Sequence, residues 1–482
     1  MSLDRLEPAL VWERFGELTR IPRPSKQEDA AREYVLAWAK ARELEAATDV
    51  EGNVAVRVPP SPGRGAAPAV VLQAHLDMVC EREPWSEYDP REGRIHVVVE
   101  GDWVRAEETT LGADNGIGVA AAMAAADDPA IHHGPLELLF TVSEEQGLDG
   151  AKALDPSLVS GRLLVNLDGT SDESLTVGCA GSDHTFLRLP LGLHPIPADA
   201  VTLRIAVSGA KGGHSGEDIA RGRANAIKVL GRVLSVAHAA APFGLAEFTG
   251  GVSRNAIPRE AHALIAVPVG DEDALRGAAE AALASVHRRY AGTDDGLTLA
   301  VDAAEADAAS SPDVSRAVLD LVAAIPTGVV ALTPGLPGVL ETSTSLTVAR
   351  TTAGTVELGS MARSSNAAAL DDLAATMASL ARLSHAESEV RRSYPPWEPR
   401  LDSPLLRTAS STFARLFGAE PGRTVVHGGL ECAVLGQKLP GVEMISIGPE
   451  IVGPHAPGER LSISSTQRAY RLLGALLDDL SG

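Results

Sequence analysis

At 482 residues the chain exceeds one ordinary hydrophobic core, so two domains are expected. Its 45% hydrophobic and 22% charged residues are usual for a globular protein, and no run is long and apolar enough to read as a transmembrane span. The formal charge of -22 weighs against nucleic acid or an anionic membrane as partner. It fits solubility, or more specifically an acidic cleft that gathers divalent cations.

The residues Met1 to Glu7 have no apolar core and no cleavage site, so no secretory leader is expected. Cys80, Cys179 and Cys432 stand at no metal-ligand spacing, which points to free thiols and a reduced, cytoplasmic setting. A helix is predicted over 6–20, stopped by Ile21-Pro22-Arg23-Pro24. Ser25 with Glu28 reads as the capping box of a second helix ending near Arg42. Strands follow at 53–58 and around Val70-Val71-Leu72, the latter of the continuous apolar kind buried in a parallel sheet. Residues 94–107 read as a hairpin about Gly101-Asp102. An Ala-rich helix spans 115–126, and apolar strands span 136–142 and 163–167.

From about Leu187 the pattern alternates, as in half-exposed antiparallel strands. Strands are predicted at 201–208, 246–250, 261–268 and 297–303, with helices at 223–239 and 272–290. A second run has helices at 312–324 and 366–384 and strands at 328–332, 343–350, 354–361 and 386–393. This suggests two successive units, each an antiparallel sheet with two helices. After Ser393-Tyr394-Pro395-Pro396, the α/β pattern resumes with helices at 403–417 and 463–480 and strands at 425–426 and 444–447. The expected architecture is therefore an α/β catalytic domain, 1–186 and 394–482, with a mostly parallel central sheet flanked by helices. An α+β lid domain with antiparallel sheets, 187–393, is inserted in it.

Apolar strands run into His75, into Glu144-Glu145 and into Asp168. Open α/β sheets build their sites at the carboxyl edge of the strands, so these groups are expected to meet. His75 and Asp77 form His-x-Asp, in which a carboxylate can orient a ligating imidazole. A structural histidine is the competing reading. Asp114, on its own, reads as a helix N-cap and Asp168 as a turn residue. His455 lies in the Gly- and Pro-rich loop Gly448-Pro449-Glu450-Ile451-Val452-Gly453-Pro454-His455-Ala456-Pro457-Gly458-Glu459. Together these groups offer mixed nitrogen and oxygen ligation suited to two zinc ions, with manganese or cobalt as substitutes. A carboxylate left over can take a proton from polarised water. No Gly-x-Ser-x-Gly elbow is present, which disfavours covalent catalysis.

His75-Leu76-Asp77, Gly112-Ala113-Asp114-Asn115-Gly116, Glu144-Glu145, Asn166-Leu167-Asp168 and the loop ending in His455 resemble, in order and setting, the co-catalytic zinc peptidases. Lys211-Gly-Gly-His214, Ser253-Arg254-Asn255 and His427-Gly-Gly-Leu-Glu431-Cys432 are similar to motifs of the aminoacyl-histidine dipeptidases within that group. The resemblance implies that Asp114 bridges two metals, that His75 and Asp168 complete one site, and that Glu145 and His455 complete the other. It makes Glu144 the general base and Asp77 the group that orients His75, and it implies a cis peptide at Asp114–Asn115. His214 becomes an oxyanion-binding lid residue, and Asn255 and Arg363 hold the substrate's terminal carboxylate. A surface arginine paired with Asp371 or Asp372 is the competing reading of Arg363. Glu431 is a candidate for the wall of a pocket for a substrate imidazole. His132 and His133 read as solvated neighbours. The implied activity is hydrolysis of small Xaa-His peptides by a cytoplasmic homodimer joined through the lid. The rivals are a tripeptidase, an N-acyl amino acid amidohydrolase, and a non-catalytic scaffold on the same fold.

Overall fold

The computed structural model describes residues 3–93 and 95–482. Met1, Ser2 and Arg94 lie outside the described residues, and with them part of the leader reading and one edge of the 94–107 hairpin. The chain forms two compact units. One comprises 1–179, 397–426 and 430–482; the other comprises 180–396 and 427–429. The divisions fall at 179/180 and 396/397 rather than at 186/187 and 393/394, because the strand Gly181–Pro190 pairs along its length within the second unit.

The first unit carries an eight-stranded sheet of β1 (Glu45–Thr48), β2 (Val54–Val58), β3 (Val70–His75), β4 (Leu136–Thr141), β5 (Leu163–Asn166), β6 (Ser174–Cys179), β7 (Gly422–Val426) and β8 (Glu443–Ser446). The spatial order is β1-β2-β4-β3-β5-β8-β6-β7. Its centre, β4-β3-β5-β8, is parallel, while β1-β2, β2-β4 and β8-β6 are antiparallel. Every residue of β3 and β4 is buried, which is why apolar residues dominate both, with Gln73 and Glu137 as interior polar exceptions. Register sets His75 opposite Thr141 and Gln73 opposite Asn166, so three neighbouring strands end together.

The Ala-rich helix Ala113–Asp127 has its N-cap at Gly112, not at Asp114, whose backbone departs from helical angles. The predicted capping box at the second helix does not form. The helix Asp29–Ala41 begins after Glu28, whose carboxylate instead accepts the Ser143 amide and hydroxyl at 2.8 and 3.0 Å; Ser25 donates to Asp77.

The second unit is built on one nine-stranded antiparallel sheet rather than two separate ones. The strand Leu340–Thr352 meets Gly244–Gly250 through the single pair Gly250–Ala349, which joins the halves. The helices Ala226–Ala240, Glu272–Tyr290, Pro312–Ala324 and Ala367–Ser384 contribute to its core with Leu230, Phe243, Phe248 and Leu346. Among the described residues no helix is long and apolar enough to cross a membrane.

Candidate active site

The carboxyl ends of β3, β4 and β5 deliver the predicted residues to one place. His75 closes β3 and is buried. Its Nδ1 faces the Asp77 carbonyl at 3.1 Å and the Asp77 carboxylate at 3.3 Å. Its Nε2 faces Asp114 Oδ1 at 3.0 Å and Asp168 Oδ1 at 3.6 Å. The other Asp114 oxygen lies 3.3 Å from His455 Nε2, which is 3.1 Å from Glu145 Oε2. Asp114 thus stands between two groups whose ligand atoms lie within 4.8 Å of one another: His75, Asp114 and Asp168, and Asp114, Glu145 and His455. Atoms of His75, Glu144 and Glu145 meet the same limit. The Asp114–Asn115 peptide is cis, as the resemblance implied.

Each position is held by local bonding. Asp77, fully buried, accepts the amides of Glu144 and Glu145 at 3.0 and 3.1 Å and the Ser25 hydroxyl at 2.7 Å, so it orients the glutamate pair as well as His75. Asn115 donates to Asp168 Oδ1 at 2.5 Å and to the Leu167 carbonyl at 3.1 Å. His455 has φ of +67°, a conformation rare outside glycine and common at functional loops. Among the described residues the Glu144 carboxylate makes no hydrogen bond or ion pair to protein, leaving it free to exchange a proton.

Sequence reasoning missed two buried charged residues here. Arg23, 1% exposed, donates to the carbonyls of Leu76, Asp77 and Gly112. Glu459, also 1% exposed, accepts the amides of Leu111, Gly112 and Asp114. The one available signal was that Glu459 shares the rigid loop of His455.

Glu431 is corrected. It is fully buried and is no pocket wall. Its Oε2 accepts from Gln73 at 2.5 Å and Thr141 at 2.6 Å, and Gln73 in turn accepts from Asn166 at 2.6 Å. This row of polar side chains joins β5, β3 and β4 near the ends that carry the site. Burial, opposed by the nearby His75 and Thr141, pushes the Glu431 carboxyl up to about 7. His133 is likewise buried, its ring 2.7 Å from the Gly134 carbonyl, so it is no solvated neighbour of His132.

The electrostatics show what the cluster can accept. Asp77, Asp114, Glu144, Glu145 and Asp168 crowd around two imidazoles. Burial lowers the His75 imidazole, but hydrogen bonds to Asp114 and Asp168 outweigh it and carry the group well above its ordinary value. Hydrogen bonds to Asp114 and Glu145 push His455 up to about 11. Burial first, and then the Asp114 charge, lift Asp168 to about 7; burial also raises Glu144 well above the usual carboxylate range. Glu145 Oε1 is buried with no protein partner. This surplus of negative charge, with converging hard-oxygen and imidazole ligands and an orphaned carboxylate oxygen, fits divalent cations.

A second polar cluster lies within the second unit. His214, on Gly213–His214, pairs in register with Ala256, next to Asn255. Asn255 is exposed, and its Oδ1 accepts from Ser253. Arg363 is only 4% exposed, not a surface residue, and Asp371 pairs with Arg392 instead. Arg363 Nη2 lies 3.4 Å from His214 Nε2.

A family model, Peptidase family M20/M25/M40, matches residues 71–479. The chain belongs to this family and is a hydrolase of peptide bonds. It is 36% identical over 480 residues, 99% of each chain, to the cytosol non-specific dipeptidase of Escherichia coli (strain K12). The crystal structure of aminoacylhistidine dipeptidase from Vibrio alginolyticus superposes with a TM-score of 0.90 at 33% identity, covering 99% of this chain and 98% of that one. The aminopeptidase PepT of Bacillus cereus, at 16% identity and a TM-score of 0.58 over 99% of this chain and 100% of that one, shares the fold. The expected α/β unit with an inserted antiparallel unit is thereby borne out.

Proposed function

We propose that the chain is a two-metal dipeptidase that hydrolyses unblocked dipeptides, Xaa-His among them. The observation that carries this is the convergence of His75, Asp114, Glu145, Asp168 and His455 around a shared aspartate. His75, Asp114 and Asp168 would hold one divalent cation; Asp114, Glu145 and His455 would hold the other. Zinc suits the donor set, with manganese or cobalt as substitutes. Bound there, the cations supply Lewis acidity, lowering the pKa of water and polarising the scissile carbonyl.

The chain's own groups carry the rest. With Nδ1 of His75 donating to Asp77, its Nε2 lone pair is presented to the ligand position. Glu144 takes the proton of the attacking water and returns it to the leaving amine. His214 donates to the developing oxyanion. Arg363 and Asn255 receive the peptide's terminal carboxylate, a reading supported by the burial of Arg363 without a carboxylate partner. Free buried thiols and the cytosolic relative support a cytoplasmic setting, and the second unit is the proposed homodimer surface.

A panel of Xaa-His and Xaa-Leu dipeptides, tripeptides and N-acyl amino acids, assayed with zinc or manganese alongside metal analysis, tests this. Dipeptide turnover with two ions per chain is expected. Preferred cleavage of tripeptides or acyl amino acids would reassign the substrate, and no turnover by loaded protein would favour a scaffold.

A further inference from the structure

Asp294 belongs to no recognised motif, yet its side chain is buried with no exposed surface. Among the described residues no cation pairs with it. It accepts backbone amides instead: Oδ1 takes that of Lys211 at 2.7 Å and Oδ2 that of Ala224 at 2.8 Å. One side chain therefore closes both ends of the loop 211–224, which carries His214, and all of this lies within the second unit. Only a carboxylate can accept at both places, since an asparagine would turn its own N–H toward one of the amides. Keeping such a charge out of water is costly unless bonds of this kind meet it.

The clamp is itself fixed. The Asp294 amide donates to the Tyr290 carbonyl at 2.8 Å, at the end of the helix Glu272–Tyr290. Just beyond Asp294, Gly296 lies against Gly209, which stands just before Lys211. A Cβ at Gly209 would come within 2.0 Å of the Gly296 carbonyl, and φ there is +82°, so the two turns meet backbone to backbone only as glycine.

A second carboxylate works inside the loop. Asp218 Oδ2 accepts the His214 amide at 2.8 Å, and its Oδ1 pairs with Arg221 Nε at 3.0 Å and Arg223 Nη2 at 3.4 Å. Arg223 Nη1 donates to the Gly212 carbonyl at 2.5 Å, and the Ser215 amide to the Asn255 carbonyl at 2.7 Å. His214 thus sits in a loop bonded in its interior and at its base, and both ends of the base meet at Asp294.

We propose that Asp294 is a positioning residue for the hydrolytic site: by closing the loop 211–224 at its base, it sets where the His214 imidazole stands and acts on the developing oxyanion through that imidazole. This rests on the dipeptidase reading above. A donor displaced by about 1 Å loses much of its worth in the transition state, so the cost of a loosened loop falls on the chemical step.

The experiment is a double-mutant cycle with His214→Gln on the metal-loaded enzyme, read on Ala-His. Asp294→Asn alone is expected to lose about 10- to 100-fold in kcat, with KM and metal content little changed. In the His214→Gln background the same substitution should cost less than about 3-fold, because the group it positions is already gone. An unchanged kcat in Asp294→Asn overturns the role. So does an equal loss in both backgrounds, which is what general destabilisation would give. Hydrogen exchange supplies a readout that needs neither a variant nor turnover. Lys211 is an exposed residue, so slow exchange of its amide in the wild type reports the bond to Asp294, and exchange at the rate of an open loop overturns the clamp. If the wild-type enzyme cleaves no dipeptide, the functional reading fails, and the clamp is judged by exchange alone. Amides of 211–218 exchanging at least about 10-fold faster in Asp294→Asn support it, and equal rates overturn it.

Discussion

Arg23 and Glu459 grip the two ends of one residue, Gly112: Arg23 Nη2 donates to its carbonyl at 2.6 Å, and its amide donates to Glu459 Oε2 at 2.9 Å. Arg23 also holds the carbonyls of Leu76 and Asp77, both at 2.9 Å, while Glu459 also holds the amides of Leu111 and Asp114 at 2.7 and 3.2 Å. One buried cation thus ties the His75 loop to the Asp114 loop, and one buried carboxylate ties the Asp114 loop to that of His455. At Gly112 a Cβ would stand 2.6 Å from Arg23 and from Met78 Sδ, and φ is +68°, so the strap passes only as glycine.

Glu459→Gln keeps the size but weakens acceptance of three amides. It is expected to lower zinc affinity about 10- to 100-fold with the far-ultraviolet dichroism unchanged. Competition against a chelating dye reads this directly, and unchanged affinity would refute the strap.

Asp77 serves His75, Glu144 and Glu145 together. Asp77→Ala leaves the two glutamate amides and the imidazole without their shared acceptor. A fall of about 10- to 100-fold in kcat/KM, with weaker metal retention, is expected in steady-state assays and metal analysis. A variant with wild-type kinetics would separate Asp77 from the site.

Burial, helped by the Arg363 and His214 charges, pushes the His427 imidazole down to about 4. The unfolded chain therefore binds a proton at this residue near its ordinary value of about 6.5, before the native state does. Stability from this group is complete above about pH 6.5 and is lost as pH falls towards 4, by roughly 2 kcal/mol after allowance for partial exposure. Denaturant unfolding from pH 7 to 4 should show His427→Gln with a shallower acid decline than the wild type. Parallel curves would contradict the shift.

Leu72 lies in the middle of β3 with no exposed surface, so Leu72→Ala should destabilise the first unit by about 2–5 kcal/mol through lost transfer energy and a cavity. Leu383 is 80% exposed, and Leu383→Ala should stay within about 0.5 kcal/mol of wild type. Equal effects in denaturant titration would mean that β3 is not packed as described.

The residues of the candidate metal cluster were legible because each follows an apolar strand or sits in a Gly-rich turn, and both patterns are local. The helices 272–290 and 312–324 were legible from their 3.6-residue periodicity. Arg23 and Glu459 were not, since charged residues in loops are usually exposed and only the fold reveals that these meet buried backbone. The strands Ser174–Cys179 and Gly181–Pro190 were not predicted, because Gly178, Gly181, Ser182 and Asp183 interrupt any local apolar pattern. The single sheet of the second unit depends on the Gly250–Ala349 pairing between distant segments, which no local pattern encodes. His427 stood in a recognised motif but was given no role, because its partner Ser343 is far along the chain.

Glu144→Gln, purified with two metal ions bound, puts proton transfer at this site to the test. Single-turnover kinetics on a dipeptide should show a loss of about 100- to 10,000-fold in the chemical step with metal content and substrate affinity retained. A metal-loaded Glu144→Gln enzyme that turns over dipeptide at the wild-type rate would contradict the role assigned to Glu144.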